Sequence, residues 1–531
     1  MYIARPWLTA EIAFESDRDR PSPYLNVDAR VVFSGPDGDV IRRPAFWDGG
    51  RTWRIRFAPT RPGTWRYRVT SGDPTDRGLN GATGQVVCGD EESDHPFAHG
   101  FLRSGADGHY LAHADGTPFF WLGDTHWRFG WERWDESNKP GWPSQFRGMV
   151  DRRVEQGFTV YQTNLMSFGE PSVPSPCWAT GREFTEVNTE YFRSTLDRRM
   201  AYIAGHGLLN AVGLGWYAAI DADVGGMVRF ARYVVARYGS YPIVWTLGGE
   251  VAGYDADRRQ ARINGWRQVA LAIRDADDYD HPRTAHLTAE RPIPSYYQGE
   301  EWLSLTMNQH GHGDVDLDTV HYRDHLAAHP GTPLVEGESM YEGLISVEYA
   351  ARRPVTDTMV RQVAYRAIQS GCCGYTYGAQ GCWNAAWDRE DAASTWGDLP
   401  WHEGIDLPGA DQLGHLRRFY ESLDWTALRP DSECFATENP FNASLYRPNV
   451  TADQQRRTIV AFFPEAYRRG GGRALMRGLA TEPYRVEWFD PRTGGSRLVD
   501  DRAQADGGVL VVPDKPDDGD WVLLARSRAG L

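Results

Sequence analysis

The stretch Ile243-Val244-Trp245-Thr246-Leu247-Gly248-Gly249-Glu250 ends a short apolar run with a glutamate. A second stretch, Pro333-Leu334-Val335-Glu336-Gly337-Glu338, repeats this arrangement 88 residues later (338 − 250 = 88). Each short apolar run predicts a buried strand. In a barrel of alternating strands and helices, this separation corresponds to about three βα units, which would bring both carboxyl groups to the rim of one pocket. Two facing carboxyl groups are what hydrolysis of a glycosidic bond requires.

The segment around these two stretches, from about residue 96 to 428, alternates strand-like and helical patterns. For example, Phe146, Met149, Val150 and Val154 recur at helical spacing. Eight strands that alternate with helices imply parallel βα units, and about 330 residues suits a (β/α)8 TIM barrel. The predicted strands are 119–122, 158–161, 208–214, 243–247, 284–287, 303–307, 334–336 and 374–377, and the predicted helices are 146–154, 192–203, 227–238 and 357–370.

Both flanks of this segment have the period-two alternation of half-buried antiparallel strands. In residues 1–95 it is clear in Trp53–Phe57 and Trp65–Val69, each bounded by Pro, Gly or Asp turns. In residues 429–531 it returns at 458–463, 485–489, 509–512 and 521–524. The sequence therefore predicts an α/β chain with a (β/α)8 TIM barrel at 96–428, flanked by two small β-sandwich domains at 1–95 and 429–531.

The composition of the 531-residue chain excludes some classes of partner. The net charge is −15, from 57 Lys and Arg against 72 Asp and Glu, which argues against a nucleic-acid partner because such proteins present a basic patch. No run approaches eighteen apolar residues, so no membrane span is predicted. The N-terminus has no basic segment followed by an apolar run, and the six cysteines have no paired CxxC spacing. Reduced thiols and a cytoplasmic location are expected, without a cofactor, and the flanking domains could form homo-oligomer contacts.

Polar and aromatic side chains follow nearly every predicted strand of the barrel. In this architecture catalytic groups project from the carboxyl ends of the strands. Carboxylates, amides, imidazoles and indoles gathered there suit a polyhydroxylated ligand. Glu250 and Glu338 are the expected catalytic pair, with Glu336 and Glu342 as competitors of Glu338. The expected substrate-binding residues are Asp124, Trp127, Asn164, Trp216, Gln309, His310, His312, Tyr341, Tyr377, Gln380 and Trp383.

Structural interpretations of the same residues remain open at this point. Asp124 could be the N-cap of the next helix, and Trp127 and Trp383 could belong to the core. His310 and His312 have the spacing of a pair of metal ligands, although hydrogen bonding to sugar hydroxyls is the alternative that we adopt, and we predict no metal site.

As a set, several motifs resemble one family, the bacterial apiosidase-like glycoside hydrolases. The motifs are 120–125 (FWLGDT), 242–250 (PIVWTLGGE), 309–312 (QHGH), 337–342 (GESMYE), 374–378 (GYTYG) and 488–494 (WFDPRTG). The resemblance implies an N-terminal β-sandwich, a central TIM barrel and a C-terminal β-sandwich. It also implies that Glu250 is the general acid/base and Glu338 the nucleophile.

Two departures from the family pattern concern the sugar. The apiosidase-like pattern often has Asp where this chain has Glu250. The wider clan usually has Asn, a contact of the sugar 2-hydroxyl, where this chain has Gly249.

The sequence thus predicts a retaining exo-glycosidase acting on a small or terminal glycoside such as a furanoside or apioside. The alternatives are a metal-dependent hydrolase on the same barrel that uses His286, His310, His312 and an acid, or a non-catalytic carbohydrate-binding protein.

Overall fold

Two sheets lie at the N-terminal end of the chain, and their strands alternate buried and exposed residues. The computed structural model describes residues 2–91, 93–166, 175–313, 319–346, 353–439, 447–467 and 472–528. One sheet has the order β1-β8-β7-β3-β4 and the other β2-β6-β5. In β7, Trp65, Tyr67 and Val69 are buried while the intervening residues face solvent, which confirms the predicted alternation. The strands are β1 (Tyr2–Ala4), β2 (Ala10–Glu15), β3 (Ala29–Ser34), β4 (Val40–Pro44), β5 (Phe46–Trp47), β6 (Thr52–Phe57), β7 (Gly63–Ser71) and β8 (Thr83–Cys88), with α1 (Pro23–Asn26) and a 3₁₀ turn at Pro36–Gly38.

A three-stranded sheet follows and closes the bottom of the barrel. Its strands are β9 (Leu102–Ser104), β10 (Leu111–His113) and β11 (Pro118–Phe119), preceded by a 3₁₀ turn at Pro96–His99. Leu102, Leu111 and Phe119 belong to one buried cluster with residues of the barrel interior such as Trp121 and Val244. The small sheet is therefore a plug beneath the barrel, at the end opposite to the carboxyl ends of the strands.

Seven parallel strands form the central sheet, in the order β15-β14-β13-β12-β18-β17-β16. The segment predicted as a strand at 284–287 forms isolated bridges instead. Arg283 pairs with Trp245 of β15 and His286 with Met307 of β16, so this segment joins the two edge strands and closes the barrel. The strands are β12 (Trp121–His126), β13 (Val160–Asn164), β14 (Leu209–Trp216), β15 (Ile243–Gly249), β16 (Thr306–Gln309), β17 (Leu334–Glu338) and β18 (Gly374–Tyr377).

Helices cover the outside of this sheet. The predicted helix at 192–203 is interrupted, because Phe192–Asp197 is a π-helical turn before α4. The helix α7, which has 21 residues, was not predicted. Among the helices that the structure describes, none is both long enough and apolar enough to cross a membrane. The helices are α2 (Gln145–Glu155), α3 (Thr189–Tyr191), α4 (Arg198–Gly205), α5 (Ala219–Ala222), α6 (Val224–Tyr238), α7 (Ala256–Ala276), α8 (Val320–Ala328), α9 (Asp357–Gln369), α10 (Arg389–Ala392), α11 (Trp401–Gly404) and α12 (Pro408–Glu421).

The chain ends in two further sheets, with the orders β19-β21-β22-β27-β24-β25 and β20-β23-β26. Val460 and Phe462 pack into the core shared with the barrel helices, whereas Ile459 and Phe463 belong to a separate core of this region. The six cysteines of the chain are all buried free thiols. A 3₁₀ turn at Trp425–Ala427 precedes these strands, which are β19 (Arg429–Pro430), β20 (Phe435–Thr437), β21 (Asn449–Ala452), β22 (Thr458–Phe463), β23 (Ala474–Arg477), β24 (Tyr484–Phe489), β25 (Ser496–Ala503), β26 (Val509–Val511) and β27 (Trp521–Ser527).

Candidate active site

A β-bulge in β17 decides which glutamate faces the site. Asn308 pairs with Glu336, but the next residue of β16, Gln309, pairs with Glu338, so β17 has one extra residue at Gly337. In an ideal strand Glu336 and Glu338 would point to the same side. The bulge breaks this alternation. Glu336 therefore lies on the outer side of the sheet, where it contacts Tyr322 of α8, while Glu338 lies on the inner side.

Two imidazoles face the carboxylate of Glu338. His286 Nε2 lies 3.0 Å from Oε2, at ion-pair distance although without the alignment of a hydrogen bond, and His312 Nε2 lies 3.2 Å from Oε1. The N–H of Glu250 donates to Nδ1 of His286 (3.4 Å), which leaves the ring proton of a neutral His286 on the nitrogen that faces Glu338. Burial by itself would raise the pKa of Glu338, but the two imidazoles outweigh burial and hold this pKa well below its usual range. Glu338 is thus kept ionised.

Glu250 has the opposite electrostatic environment. Burial, and then the negative charge of Glu338, raise the pKa of Glu250 above its usual value. Its Oε1 accepts hydrogen bonds from the Tyr254 hydroxyl (2.6 Å) and from Gln309 Nε2 (3.2 Å). The backbone of Glu250 is in the left-handed region, with φ of 47°. Such a conformation is costly for a residue with a side chain, and it is common at functional sites.

Aromatic rings line the inner side next to these carboxyls. Trp127 makes edge-to-face contacts with Trp216 and with His286, each with ring centroids 5.3 Å apart. Its indole N–H donates to the Tyr341 hydroxyl (2.9 Å). The Tyr341 hydroxyl lies beside the carboxylate of Glu338. Burial and the charge of this carboxylate raise the pKa of Tyr341 well above its usual value. Trp127 and Tyr341 therefore lie next to the candidate carboxyl groups, where Tyr341 is positioned to orient Glu338.

The indole of Trp216 fills the space beside Gly249. A Cβ at position 249 would lie 2.5 Å from this ring, which is closer than any real contact. Gly249 is the position at which the sequence departs from the wider clan. The lack of a side chain there leaves room for Trp216 at the end of β14.

Three predicted amide residues also reach the inner side. Gln309 contacts Glu250, as described above. Gln380 accepts from the Trp383 indole N–H (2.9 Å), and its Nε2 is buried without a partner among the described residues. Both polar side-chain atoms of Asn164 are buried without such a partner. Buried polar groups normally find a hydrogen-bonding partner, so these amides are suited to bind hydroxyl groups.

Asp124 and Tyr377 are not brought to this cluster. Strand alternation turns both side chains to the outer side of the sheet. Asp124 Oδ2 is fully buried between Arg153 Nε (2.6 Å) and His126 Nε2 (2.8 Å). The Tyr377 hydroxyl donates to Glu342 (2.7 Å). Their recorded contacts are thus with the barrel shell and not with the carboxyl pair.

His310 enters the site mainly through its backbone. Its N–H lies 2.8 Å from Glu336 Oε1 and 2.7 Å from the carbonyl of Glu338, and its Nδ1 lies 3.1 Å from the carbonyl of Gly311. His312, two residues later, supplies one of the two imidazoles that face Glu338.

Two residues of the site were absent from the predicted set. His286 ends the fifth predicted strand, so its position was visible in the sequence, although it was considered only as a metal ligand. Tyr254 lies in the loop after β15, and no sequence pattern indicates that this loop returns its hydroxyl to Glu250. The described residues include no group of three or more His, Cys, Asp or Glu side chains arranged to hold a metal ion.

Comparison with known proteins identifies the family of this chain. A model of the catalytic domain described as apiosidase-like matches residues 105–427, which is more than half of the chain. This chain belongs to the apiosidase-like family. Residues 4–72 match a domain of unknown function, DUF5060. Membership of the apiosidase-like family identifies the protein as a glycoside hydrolase.

Solved structures share the fold of this apiosidase-like chain. A Bacteroides vulgatus protein named as a candidate glycoside hydrolase has a TM-score of 0.73 and 15% identity, over 99% of this chain and 100% of its own. A family 5 glycoside hydrolase from Bacteroides vulgatus has a TM-score of 0.67 and 18% identity, over 82% of this chain and 96% of its own. At these identities the likeness concerns the fold, which is of the glycoside hydrolase TIM-barrel type. No curated protein sequence matches this chain.

Proposed function

We propose that this protein is a retaining exo-glycoside hydrolase that acts on a small or terminal glycoside, a furanoside or an apioside. One observation carries the proposal: Glu250, whose pKa is raised, lies within the electric field of Glu338, whose pKa is lowered. Double displacement needs one carboxyl group that is protonated at the start and one that is ionised.

In the proposed reaction the carboxylate of Glu338 attacks the anomeric carbon. The bond to the leaving oxygen breaks, and that oxygen takes the proton of Glu250. Water then attacks the anomeric carbon of the resulting glycosyl-enzyme ester and gives a proton to the ionised Glu250, while the bond from that carbon to the Glu338 oxygen breaks. The sugar is released with its original anomeric configuration, and both carboxyl groups return to their starting states.

We assign substrate contacts to the groups on the inner side of the barrel. Asn164, Gln309 and Gln380 would bind hydroxyl groups, while Trp127, Trp216 and Trp383 would pack against the sugar. Because Trp216 occupies the space beside Gly249, this chain would lack the 2-hydroxyl contact that Asn makes in the wider clan. Family membership supports apiose among the candidate sugars.

The architecture that we propose around this site has three domains. Residues 96–428 would form the catalytic barrel, and residues 1–95 and 429–531 two flanking β-sandwich domains. The sheet orders on each side of the barrel support this division.

A panel of nitrophenyl glycosides that includes pentofuranosides and the apioside tests the proposal. We expect release of nitrophenol from one or two members, and proton NMR early in the reaction should show the anomer of the substrate. Initial formation of the opposite anomer would contradict the retaining mechanism. Absence of hydrolysis across the panel and across oligosaccharides with terminal furanosyl or apiosyl units would contradict the proposed substrate class.

A further inference from the structure

Glu336 is a buried carboxyl group whose pKa burial raises to about 7, and it lies outside the pocket but close to the candidate catalytic pair in sequence. It is fully buried on the outer side of β17, two residues before Glu338. Three donors meet its two oxygens. The His310 N–H donates to Oε1 (2.8 Å), and the Tyr322 hydroxyl (2.8 Å) and Asn308 Nδ2 (2.5 Å) donate to Oε2.

These donors connect β17 with β16, with the loop that follows β16 and with α8. The end of β16 and this loop carry two side chains of the site, namely Gln309, which donates to Glu250, and His312, which faces Glu338. His310 lies between them, and its N–H is the group that Glu336 binds. On the other side, the guanidinium of Arg291 lies 3.4 Å from the carbonyls of both Gln309 and His310. The His310 N–H is therefore shared between Glu336 Oε1 (2.8 Å) and the carbonyl of Glu338 (2.7 Å), while Arg291 holds the carbonyls of Gln309 and His310.

We propose that Glu336 is a positioning residue, which holds the 309–312 loop so that Gln309 and His312 reach the two catalytic carboxyl groups. The inference rests on the proposed function for its kinetic consequences, but the positioning itself is a matter of geometry. Glu336 touches neither Glu250 nor Glu338 through its side chain and acts through the loop.

The positioning predicts a specific change in the pH dependence of activity. The hydrogen bond from Gln309 lowers the pKa of Glu250, and the contact from His312 lowers the pKa of Glu338. If the loop moves away, both of these pKa values rise. In a plot of kcat/KM against pH, Glu338 sets the acidic limb and Glu250 sets the basic limb. Both limbs would then move to higher pH.

The substitution that tests this is Glu336→Met, which keeps an unbranched side chain and removes both acceptor oxygens. We expect kcat/KM to fall by about 10- to 100-fold, the size of effect that an ångström-scale misplacement causes, with both limbs displaced upward. A variant that only lost stability would have a lower Tm and unchanged limbs.

Two matched variants separate positioning from general packing. Glu336→Gln keeps an acceptor for the His310 N–H, because its amide N–H₂ can face Asn308 and Tyr322, whose oxygens can accept. It should restore the wild-type pH profile. Tyr322→Phe removes a partner of Glu336 that lies on α8 and not on the loop, so it should lower Tm and leave both limbs in place.

A crystal structure of Glu336→Met provides a readout that does not need activity. The distances from Gln309 Nε2 to Glu250 Oε1 and from His312 Nε2 to Glu338 Oε1, both 3.2 Å in the wild type, should lengthen beyond hydrogen-bonding range. Unchanged distances and unchanged limbs would overturn the inference while the proposed function stands. A wild-type enzyme inactive on every glycoside would overturn the function, and the crystal structure would still decide the positioning.

Discussion

At the scale of single residues, burial and charged partners together determine how the two catalytic candidates ionise. Burial raises the pKa of both Glu250 and Glu338. The imidazoles of His286 and His312 reverse its effect at Glu338. Glu250 instead faces the resulting negative charge. Two carboxyl groups of the same residue type therefore acquire different protonation states, as a proton donor and a nucleophile require.

Removal of each carboxyl group should have a different chemical signature. Glu338→Ala should abolish turnover, and azide should restore it on an activated aryl glycoside, giving a glycosyl azide of inverted configuration because only one displacement occurs. Glu250→Ala should lower kcat by about 10²- to 10⁴-fold on poor leaving groups, with azide giving the retained configuration. Product configuration is measured by NMR. An inverted azide product from a variant of Glu336 or Glu342 instead would contradict the assignment of Glu338.

Tyr254→Phe should shift the basic limb of kcat/KM to higher pH. The Tyr254 hydroxyl donates to Glu250, which favours the ionised carboxylate and lowers the pKa of Glu250 against burial. Without the hydroxyl this pKa rises, so Glu250 keeps its proton to higher pH. The limb is read from kcat/KM measured across the pH range. A limb that stays in place or moves to lower pH would show that Tyr254 does not act on Glu250.

At the scale of secondary-structure elements, irregularities in the strands place the reactive groups. The bulge at Gly337 turns Glu338 inward. Register shifts between β14 and β15 accompany the left-handed backbone at Leu247 and Glu250. Period-two alternation cannot reveal such shifts, because one inserted residue exchanges the two faces of a strand.

Gly249→Asn should impair substrate binding through Trp216. The new Cβ would lie 2.5 Å from the indole, so the ring must leave its place beside Trp127. We expect KM to rise by about fivefold, since an aromatic contact is worth on the order of 1 kcal/mol. Gly205→Ala is the control, because a Cβ there meets no atom within 4 Å. Tighter binding by Gly249→Asn would indicate that asparagine supplies its usual hydroxyl contact here.

Most elements were predictable from the sequence, and the exceptions have physical reasons. Strands β13, β14, β15, β17, β18 and β22 lie close to their predicted bounds, because each is a buried apolar run. Helix α7 was not predicted because its buried residues, such as Arg262 and Trp266, alternate with exposed arginines and give no clear apolar stripe. The segment predicted as a strand at 284–287 forms only isolated bridges, one to β15 and one to β16.

At the scale of the whole molecule, buried ion pairs attach the flanking sheets to the barrel helices. Arg56 pairs with Asp197 (2.7 Å) on the N-terminal side. On the C-terminal side, Arg361 of α9 pairs with Asp520 (3.1 Å), and both side chains are almost fully buried. Their removal should therefore test how strongly the flanking sheets and the barrel stabilise one another.

Asp520→Ala should lower the Tm by several degrees. It leaves the guanidinium of Arg361 partly uncompensated, and the breaking of a buried pair costs about 3–5 kcal/mol. Asp357 still contacts Arg361, so we expect the lower end of this range. Differential scanning calorimetry measures the shift, and Glu91→Ala, which breaks an exposed pair with Arg5, is the control with little expected change. Equal shifts for the two variants would mean that the Asp520 pair does not stabilise the attachment.

The sequence by itself determined the class of the barrel fold and the family, and it predicted the two candidate catalytic glutamates, because these depend on local apolar periodicity and on short motifs at strand ends. Only the tertiary structure decided which polar residues face inward. It separated Glu338 from Glu336 by a bulge, turned Asp124 and Tyr377 outward, and added His286 and Tyr254 to the pair. The physical reason is that the register of a strand and the path of a loop depend on contacts with residues far away in the sequence. A local stretch of sequence does not reveal these contacts.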